Sequence, residues 1–521
     1  MKKFISFLLV TILCVSLFAG CGGEKEPSAG AITTFSVGYA TADITPVGSV
    51  PLGGYGDEDE RMSKGALEPA LATCVAFADA GGEKLLLISI DLSNCREEIF
   101  YPIRQIIAEE NNIPVSHVLI TASHSHSSPY TSSQGLPGVK EYIQLMTERI
   151  PQGAKAALAD LAPATMETGF QRVDRLNTVR HYLLSDGSYQ SYNVGSVPKD
   201  KIIGHHSKVD NLLQVVKFTR EGDKKPVILV NWCGHPTGMA GENYYYASPN
   251  YAGALRRKLE ADYDCHASFV LSGSGNVNNG SQIASDLDYE KGDYIALGEM
   301  LASHVGEILN GSLIPGKADD ILVSENLFTT KNKNGMDQTV PLYAFSVGDW
   351  ACVTAPFEIF DTNAMAVRDA SPYRMTFYAS CANEANGYLP TPPSFDWEIV
   401  YESRITKFPK GMAEMVQEQL IGQLEDIFAQ SGAEKVEKPD GYVTPEFVPT
   451  SDGLTYTNPT PGSWAQCREV KNGFYSIPML QGSTFKTMLC LDKSVAEKVV
   501  AATNMQLVFN EQNVIVDVIV Q

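Results

Sequence analysis

Between residues 35 and 430, short apolar runs alternate with stretches in which apolar residues recur every three or four positions. The runs Cys74 to Ala78, Lys84 to Asp91, His117 to Ala122, Leu212 to Phe218, Val227 to Trp232, Ala267 to Leu271 and Ala351 to Thr354 predict short buried strands. Helical spacing predicts helices over Glu97 to Glu110, Lys140 to Leu161, Tyr251 to Tyr263, Tyr294 to Leu309 and Met412 to Phe428, the last with Val416, Leu420 and Leu424 on one face. Strands interleaved with helices predict an α/β body of mixed β-sheets flanked by helices. Beyond Gln430 the chain is punctuated by Pro439, Pro445, Pro449, Pro459 and Pro461, which predicts a linker or wrapping arm. Strand-like runs at Thr484 to Leu491, Met505 to Phe509 and Val514 to Val520 then predict a small C-terminal β-containing segment within 431–521, with no visible site chemistry.

The start of the chain has a different pattern. Lys2 and Lys3 precede an apolar run from Phe4 to Phe18, and Leu17-Phe18-Ala19-Gly20 leads to Cys21. The run is shorter than the roughly 20 apolar residues of a spanning helix. It predicts a lipoprotein signal peptide over 1–20 and a lipid on Cys21, with a cleaved signal lacking lipid as the alternative. Residues 21–34, rich in Gly, Ser, Glu and Lys, suit a flexible tether. The expected place is the cell membrane, lipid-anchored and facing outside the cytoplasm.

Charge narrows the partners. The 521 residues hold 61 acidic and 40 basic side chains, and a net charge of −21 repels phosphate backbones, so no nucleic-acid partner is expected. Apart from Cys14 and Cys21, the cysteines form no C-x-x-C pair, so neither a cysteine metal cluster nor any particular disulfide is predicted.

Three predicted strands end in residues that bind metals. His117 to Ala122 runs into Ser123-His124-Ser125-His126, where an extended backbone would send both imidazoles to one side. Pro226 to Trp232 leads to His235-Pro236, and Ala351 to Thr354 leads to Pro356-Phe357-Glu358. Imidazoles and a carboxylate converging from strand ends make a catalytic zinc centre, whereas ordinary surface histidines and a carboxylate at a helix start are the plainer alternatives. His126 and Asp91 are candidates for proton transfer or for holding a ligand's second nitrogen. Tyr244 to Tyr246 and Phe395 to Trp397 are candidates for an apolar entrance, or simple packing.

In order along the chain, these segments resemble the neutral ceramidase family, zinc-dependent amidases that cut the fatty amide of ceramide. Ala42-Asp43-Ile44-Thr45-Pro46 with Gly53-Gly54-Tyr55 is similar to the family's opening, and His124-Ser125-His126-Ser127-Ser128-Pro129 to its T-H-T-H-S-G-P. Asn231 to Thr237 resembles N-x-x-x-H-P-T, Ser248 to Leu255 resembles S-A-D-Y-P-G-A-L, and Asn386 to Thr391 with Tyr401-Glu402 resembles the tyrosine-bearing segment. The resemblance spans 35–430 and implies a zinc hydrolase domain with His124, His235, Glu358 and Tyr388 as metal ligands. It further implies His126 as a catalytic neighbour, Tyr401 at the developing oxyanion and Arg175 lining the substrate site.

One departure stands out. The family's G-D-V-S-P-N carries a catalytic serine, while this chain reads Gly275-Asn276-Val277-Asn278-Asn279-Gly280. An amide at Asn278 cannot form an acyl-enzyme, but water activated by zinc can attack without one, with Asn278 orienting water or substrate. The expectation is therefore a zinc-dependent amide hydrolase acting on ceramide or a related amphiphile. The alternative is a metal-containing lipoprotein that binds a lipid or small molecule with reduced catalysis.

Overall fold

Strands β1 (Ser36–Asp43), β2 (Leu71–Ala78), β3 (Lys84–Ile90) and β4 (Val118–Ala122) make one half of a mixed sheet; β5 (Ala162–Arg172), Leu212–Arg220, Val227–Trp232 and His266–Leu271 make the other. This is a computed structural model that describes residues 34–520 apart from 193–196, 284, 291 and 398–399. The predicted signal peptide, Cys21 and the tether up to residue 33 lie outside the described residues.

Among the described residues the two halves pair edge to edge where Ser36 and Val37 of β1 oppose Pro163 and Ala162 of β5. So short a seam lets the sheet fold over, and the halves pack face to face. Tyr39 donates its hydroxyl to the Ala267 carbonyl at 3.1 Å, and the Thr73 and Ser268 hydroxyls meet at 2.7 Å across the interface.

Period-two alternation sorts the side chains. Leu85 and Leu87 of β3 share the inner core with Leu229 and Val270, while Leu86, Ile88 and Ile90 face outward onto helices α1 (Glu97–Asn111) and α2 (Val139–Ala159). On the other half, Ile228, Val230 and Trp232 pack against α3 (Asn250–Tyr263) and α4 (Tyr294–Gly311). The layers run helix, sheet, sheet, helix, as the α/β reading with flanking helices predicted.

Each half ends in a parallel pair joined through a helix: β3 to β4 through α1, and Val227–Trp232 to His266–Leu271 through α3. Loops leaving the carboxyl ends of such strands are where α/β proteins place ligands. A second sheet of Ile321–Lys331, Asp337–Val347, Trp350–Thr354 and Met375–Ala379 contributes Phe345, Trp350 and Phe377 to the inner core. Its other face carries α5 (Asp361–Ala370) and the helix Met412–Ser431.

Residues 450–520 form a seven-stranded sheet with the helix Lys493–Ala501. Phe474, Leu489 and Val514 pack on Leu183 and Tyr189 of the body. Among the described residues no helix is long and apolar enough to cross a membrane. All eight described cysteines are free thiols.

Candidate metal centre and its cavity

The extended run of β4 stops at Ala122, and His124 takes a left-handed φ of 65°. Strand parity is therefore not what aligns the two histidines; a turn does. Backbone bonds then tie the turn to its neighbours. His126 N–H donates to the Pro236 carbonyl (3.0 Å), His235 N–H to Val277 (3.2 Å), Gly275 N–H to Ile359 (2.7 Å) and Ala122 N–H to Cys381 (3.2 Å). The segments holding the three histidines, Glu358 and Asn278 are thus linked by main-chain bonds.

At their centre the Nε2 atoms of His124 and His235 lie 3.0 Å apart, those of His235 and His126 3.0 Å, and those of His126 and His124 3.3 Å. Glu358 Oε2 is 3.2 Å from His124 Nε2 and 3.7 Å from His235 Nε2. Glu358 and Tyr388 sit side by side because Glu358–Ile359 and Tyr388–Leu389 pair as short parallel strands in that register.

The outer ring nitrogens explain the inward aim. His235 Nδ1 lies 3.0 Å from the Ser274 carbonyl, which can only accept, so Nδ1 carries the hydrogen and Nε2 turns a lone pair inward. His124 Nδ1 is bonded in the same way to the Ser93 carbonyl. That partner replaces Asp91, whose carboxylate is taken by Arg256 at 2.8 Å and by the Leu71 N–H at 2.8 Å.

Burial opposes charge on His124, but Cys381 and Glu358 beside it outweigh burial and hold its pKa well above the usual histidine range. Burial, reinforced by the charge on His124, pushes His126 and His235 well below it. Burial alone would raise Glu358, yet His124 outweighs it and lowers the carboxylate. Three buried imidazoles and a carboxylate thus face one another at the place where a cation would serve all four.

His124, His126 and His235 form the group among the described residues that can hold a metal ion. The fit is supported by Glu358 Oε2, a buried carboxylate oxygen set against the Nε2 atoms of both His124 and His235. His126 is therefore a third converging imidazole, closer to the centre than a neighbour's role requires.

The group opens into a cavity of about 750 Å³ lined by His126, Arg180, Asn278, Tyr388 and Tyr401, among others. Tyr388 and Tyr401 meet edge to face at 5.8 Å, and Tyr401 is 38 % exposed at the rim. Of the predicted entrance aromatics, Tyr244 lines the cavity, whereas Trp397 packs on Tyr189 and His206.

Arg175 does not reach the cavity. With a left-handed φ of 65°, it turns outward to Asp288, 2.6 Å away. Arg180 occupies the wall instead, its guanidinium 5.4 Å from the Tyr388 ring centre. Glu402, fully buried, holds it: Arg180 Nε donates to Oε1 at 2.7 Å, and His181 Nε2 lies 3.0 Å from Oε2. The sequence expectation put Arg175 at the substrate site; in the structure it is Arg180, five positions on, that lines the cavity. Ser281 is bonded to Asp286 and to the Tyr182 hydroxyl, and Asn276 exchanges two hydrogen bonds with Asp361.

The second of the two glycines before Tyr55, Gly54, has a steric cause. Its φ is 113°, and a Cβ there would lie 2.5 Å from His126 Cγ. Gly54→Ala is expected to displace His126 and lower activity about 10²-fold while the chain stays folded, as turnover and a melting curve will register.

Residues 35–281 match the family described as neutral/alkaline non-lysosomal ceramidase, N-terminal. Among solved structures the chain is similar to neutral ceramidase from Pseudomonas aeruginosa, at 16 % identity over 86 % of this chain and 84 % of that one, with a TM-score of 0.62. It is similar also to a ceramidase complexed with C2, at 15 % identity, the same coverage and a TM-score of 0.63. At these identities the likeness is one of fold. No curated protein gives a significant match to the chain.

Proposed function

Taking residues 35–281 as an N-terminal domain of the neutral/alkaline non-lysosomal ceramidase family, we propose that the protein is a zinc-dependent hydrolase of N-acyl amide bonds, with ceramide or a related amide as substrate. The observation that carries this reading is the convergence of three imidazole nitrogens and Glu358 on one point in the wall of a large cavity.

His124, His126 and His235 would hold the metal through Nε2, with Glu358 as the carboxylate donor and Tyr388 beside it. Zinc supplies Lewis-acid polarisation and makes water acidic enough to act near neutral pH. The chain's own groups do the rest. Carbonyls of Ser93 and Ser274 fix the ring orientations. Arg180 and Tyr401 offer donors where the amide oxygen gains charge, and Asn278 orients the substrate. A water oxygen bonds to the carbonyl carbon, the C–N bond breaks, and a water proton passes to the leaving nitrogen, giving a carboxylic acid and an amine.

Zinc-loaded protein given labelled N-acyl lipids and N-acyl amino acids should release the acid, and a chelator should stop the release. No release from any of them sinks the proposal. A binding protein with reduced catalysis is the second reading, favoured by Asn278, which the resemblance sets against the family's catalytic serine.

Hydrolysis without that serine proceeds without a covalent acyl-enzyme. Asn278→Ala should slow turnover by roughly 10²-fold with zinc content unchanged. A substrate-derived acyl group found by mass spectrometry on Ser274, Ser281 or any other side chain defeats this route.

We also propose that Cys21 anchors the protein to the cell membrane, facing outside the cytoplasm, on the motif Leu17 to Cys21. Cys21→Ser should move it from the membrane fraction to the soluble one; an unchanged fraction would point to another attachment.

A further inference from the structure

We propose that Asp361, the first residue of α5, is a positioning residue of the cavity wall: through Asn276 it sets the loop that carries Asn278, orients His235 and meets Arg180. Its effect on turnover rests on the amide-hydrolase reading, but its effect on the wall does not.

The acid is fully buried, and three donors meet its carboxylate. Oδ1 accepts from Asn276 Nδ2 at 2.7 Å and from the Thr362 N–H at 2.8 Å, and Oδ2 accepts from the Asp210 N–H at 3.1 Å. Burial raises its pKa to about 6, so near neutral pH it is the anion these donors require. Asn276 Oδ1 in turn accepts the Asp361 N–H at 2.9 Å. Loop and helix are thus closed by two opposed hydrogen bonds. Two amides could not repeat the match without setting one N–H against another, because Asp210 and Thr362 must be satisfied as well.

The tie matters because of what adjoins Asn276. Two positions before it, the Ser274 carbonyl holds His235 Nδ1 at 3.0 Å; two positions after it, Asn278 lines the cavity. Its own carbonyl accepts the Arg180 N–H at 2.8 Å. The loop also lies tight against the chain that leads into α5. A Cβ at Gly275 would sit 2.3 Å from the Glu358 carbonyl oxygen, and one at Gly273 would sit 2.6 Å from Ala364 Cβ. A segment packed so closely has no slack to absorb a tilt of Asn276, which therefore passes to His235, Asn278 and Arg180 together.

A second route leads from the same helix to the same wall. Arg368, two turns along α5, grips the Asp210 carboxylate at 3.0 and 2.8 Å, while Asp361 holds the Asp210 N–H. The Asp210 carbonyl accepts from Asn177 Nδ2 at 2.9 Å, and the same amide donates to the Cys233 carbonyl at 2.5 Å, two residues before His235. Both routes start at Asp361, which stands behind the wall and acts only through other residues.

The test uses the zinc-loaded full chain and three variants: Asp361→Asn, Asn276→Ala and the swapped pair Asn276→Asp/Asp361→Asn. Turnover is read on the labelled N-acyl lipids and N-acyl amino acids, and backbone hydrogen exchange by mass spectrometry. Asp361→Asn should lower kcat about 10²-fold while KM stays within about threefold, because orientation is lost and the cavity is kept. Hydrogen exchange should quicken about tenfold over 176–180 and 272–278 and stay unchanged in α1 and α2. Asn276→Ala leaves the bond from Asp361 to Asp210 in place, so it reports even if Asp361→Asn misfolds, and it should give the same split. The swapped pair again sets a donor against an acceptor and should recover about tenfold of the lost kcat. Wild-type kcat in Asn276→Ala overturns the inference, as do exchange that quickens throughout the chain and a swapped pair no better than Asp361→Asn. If wild type cleaves none of the amides, the hydrolase reading fails and hydrogen exchange alone decides: quickening confined to the two loops still upholds the role of Asp361.

Discussion

Replacing His124 and His235 together by alanine should empty the protein of zinc and abolish amide hydrolysis. Their Nε2 atoms are 3.0 Å apart, and each ring is oriented by a carbonyl on its far nitrogen, so the variant removes two aligned donors at once. His126 and Glu358 would remain, and two donors hold zinc far more weakly than four. Metal analysis should fall from one zinc per chain to background, and acid release should fall with it. Equal zinc in variant and wild type would remove the basis of the proposed chemistry.

The second large effect is on stability. Glu402 is fully buried between Arg180 and His181; burial pushes its pKa up, but Arg180 and the hydrogen-bonded His181 outweigh this and bring it to about 2. Glu402→Gln leaves Arg180 in the interior without its counter-charge, a loss of about 3–5 kcal/mol. The pH dependence follows from the lowered value. The stabilisation is complete above the ordinary carboxylate pKa and is lost as pH falls through the folded value, so it should fade between about pH 5 and pH 2. Denaturant melts should separate wild type from variant widely at pH 7 and little at pH 2 and below. Curves that coincide at pH 7 would mean that the pair holds nothing in place.

These two residue sets differ in how far sequence reveals them. Lys84–Ile90 and Val227–Trp232 are legible as strands because they are buried on both faces between layers and so read as unbroken apolar runs. The hairpin of Ile321–Lys331 and Asp337–Val347 escapes such a reading, since its first strand leaves alternate residues such as Glu325 and Leu327 in solvent. The histidines and Glu358 are legible by residue type and by their places after strands. Their geometry is not, because it depends on the left-handed turn at His124 and on main-chain bonds between distant loops. Tyr388 and Tyr401 become visible only through resemblance. Glu402 at the start of a short helix reads as a solvated acid, and nothing local tells that Arg180 is buried against it.

The circuit of main-chain bonds also has a kinetic meaning. His124 and His235 are 111 residues apart, and Glu358 comes from a different sheet. Closing loops of that length is costly and slow, so these nitrogens converge only after both halves of the first sheet and the second sheet have docked. A nascent or partly folded chain presents isolated imidazoles, each a weak and unselective ligand. Capture of the proposed ion would then come at the end of folding, and the ion acquired would be set by the surroundings in which the chain completes its fold.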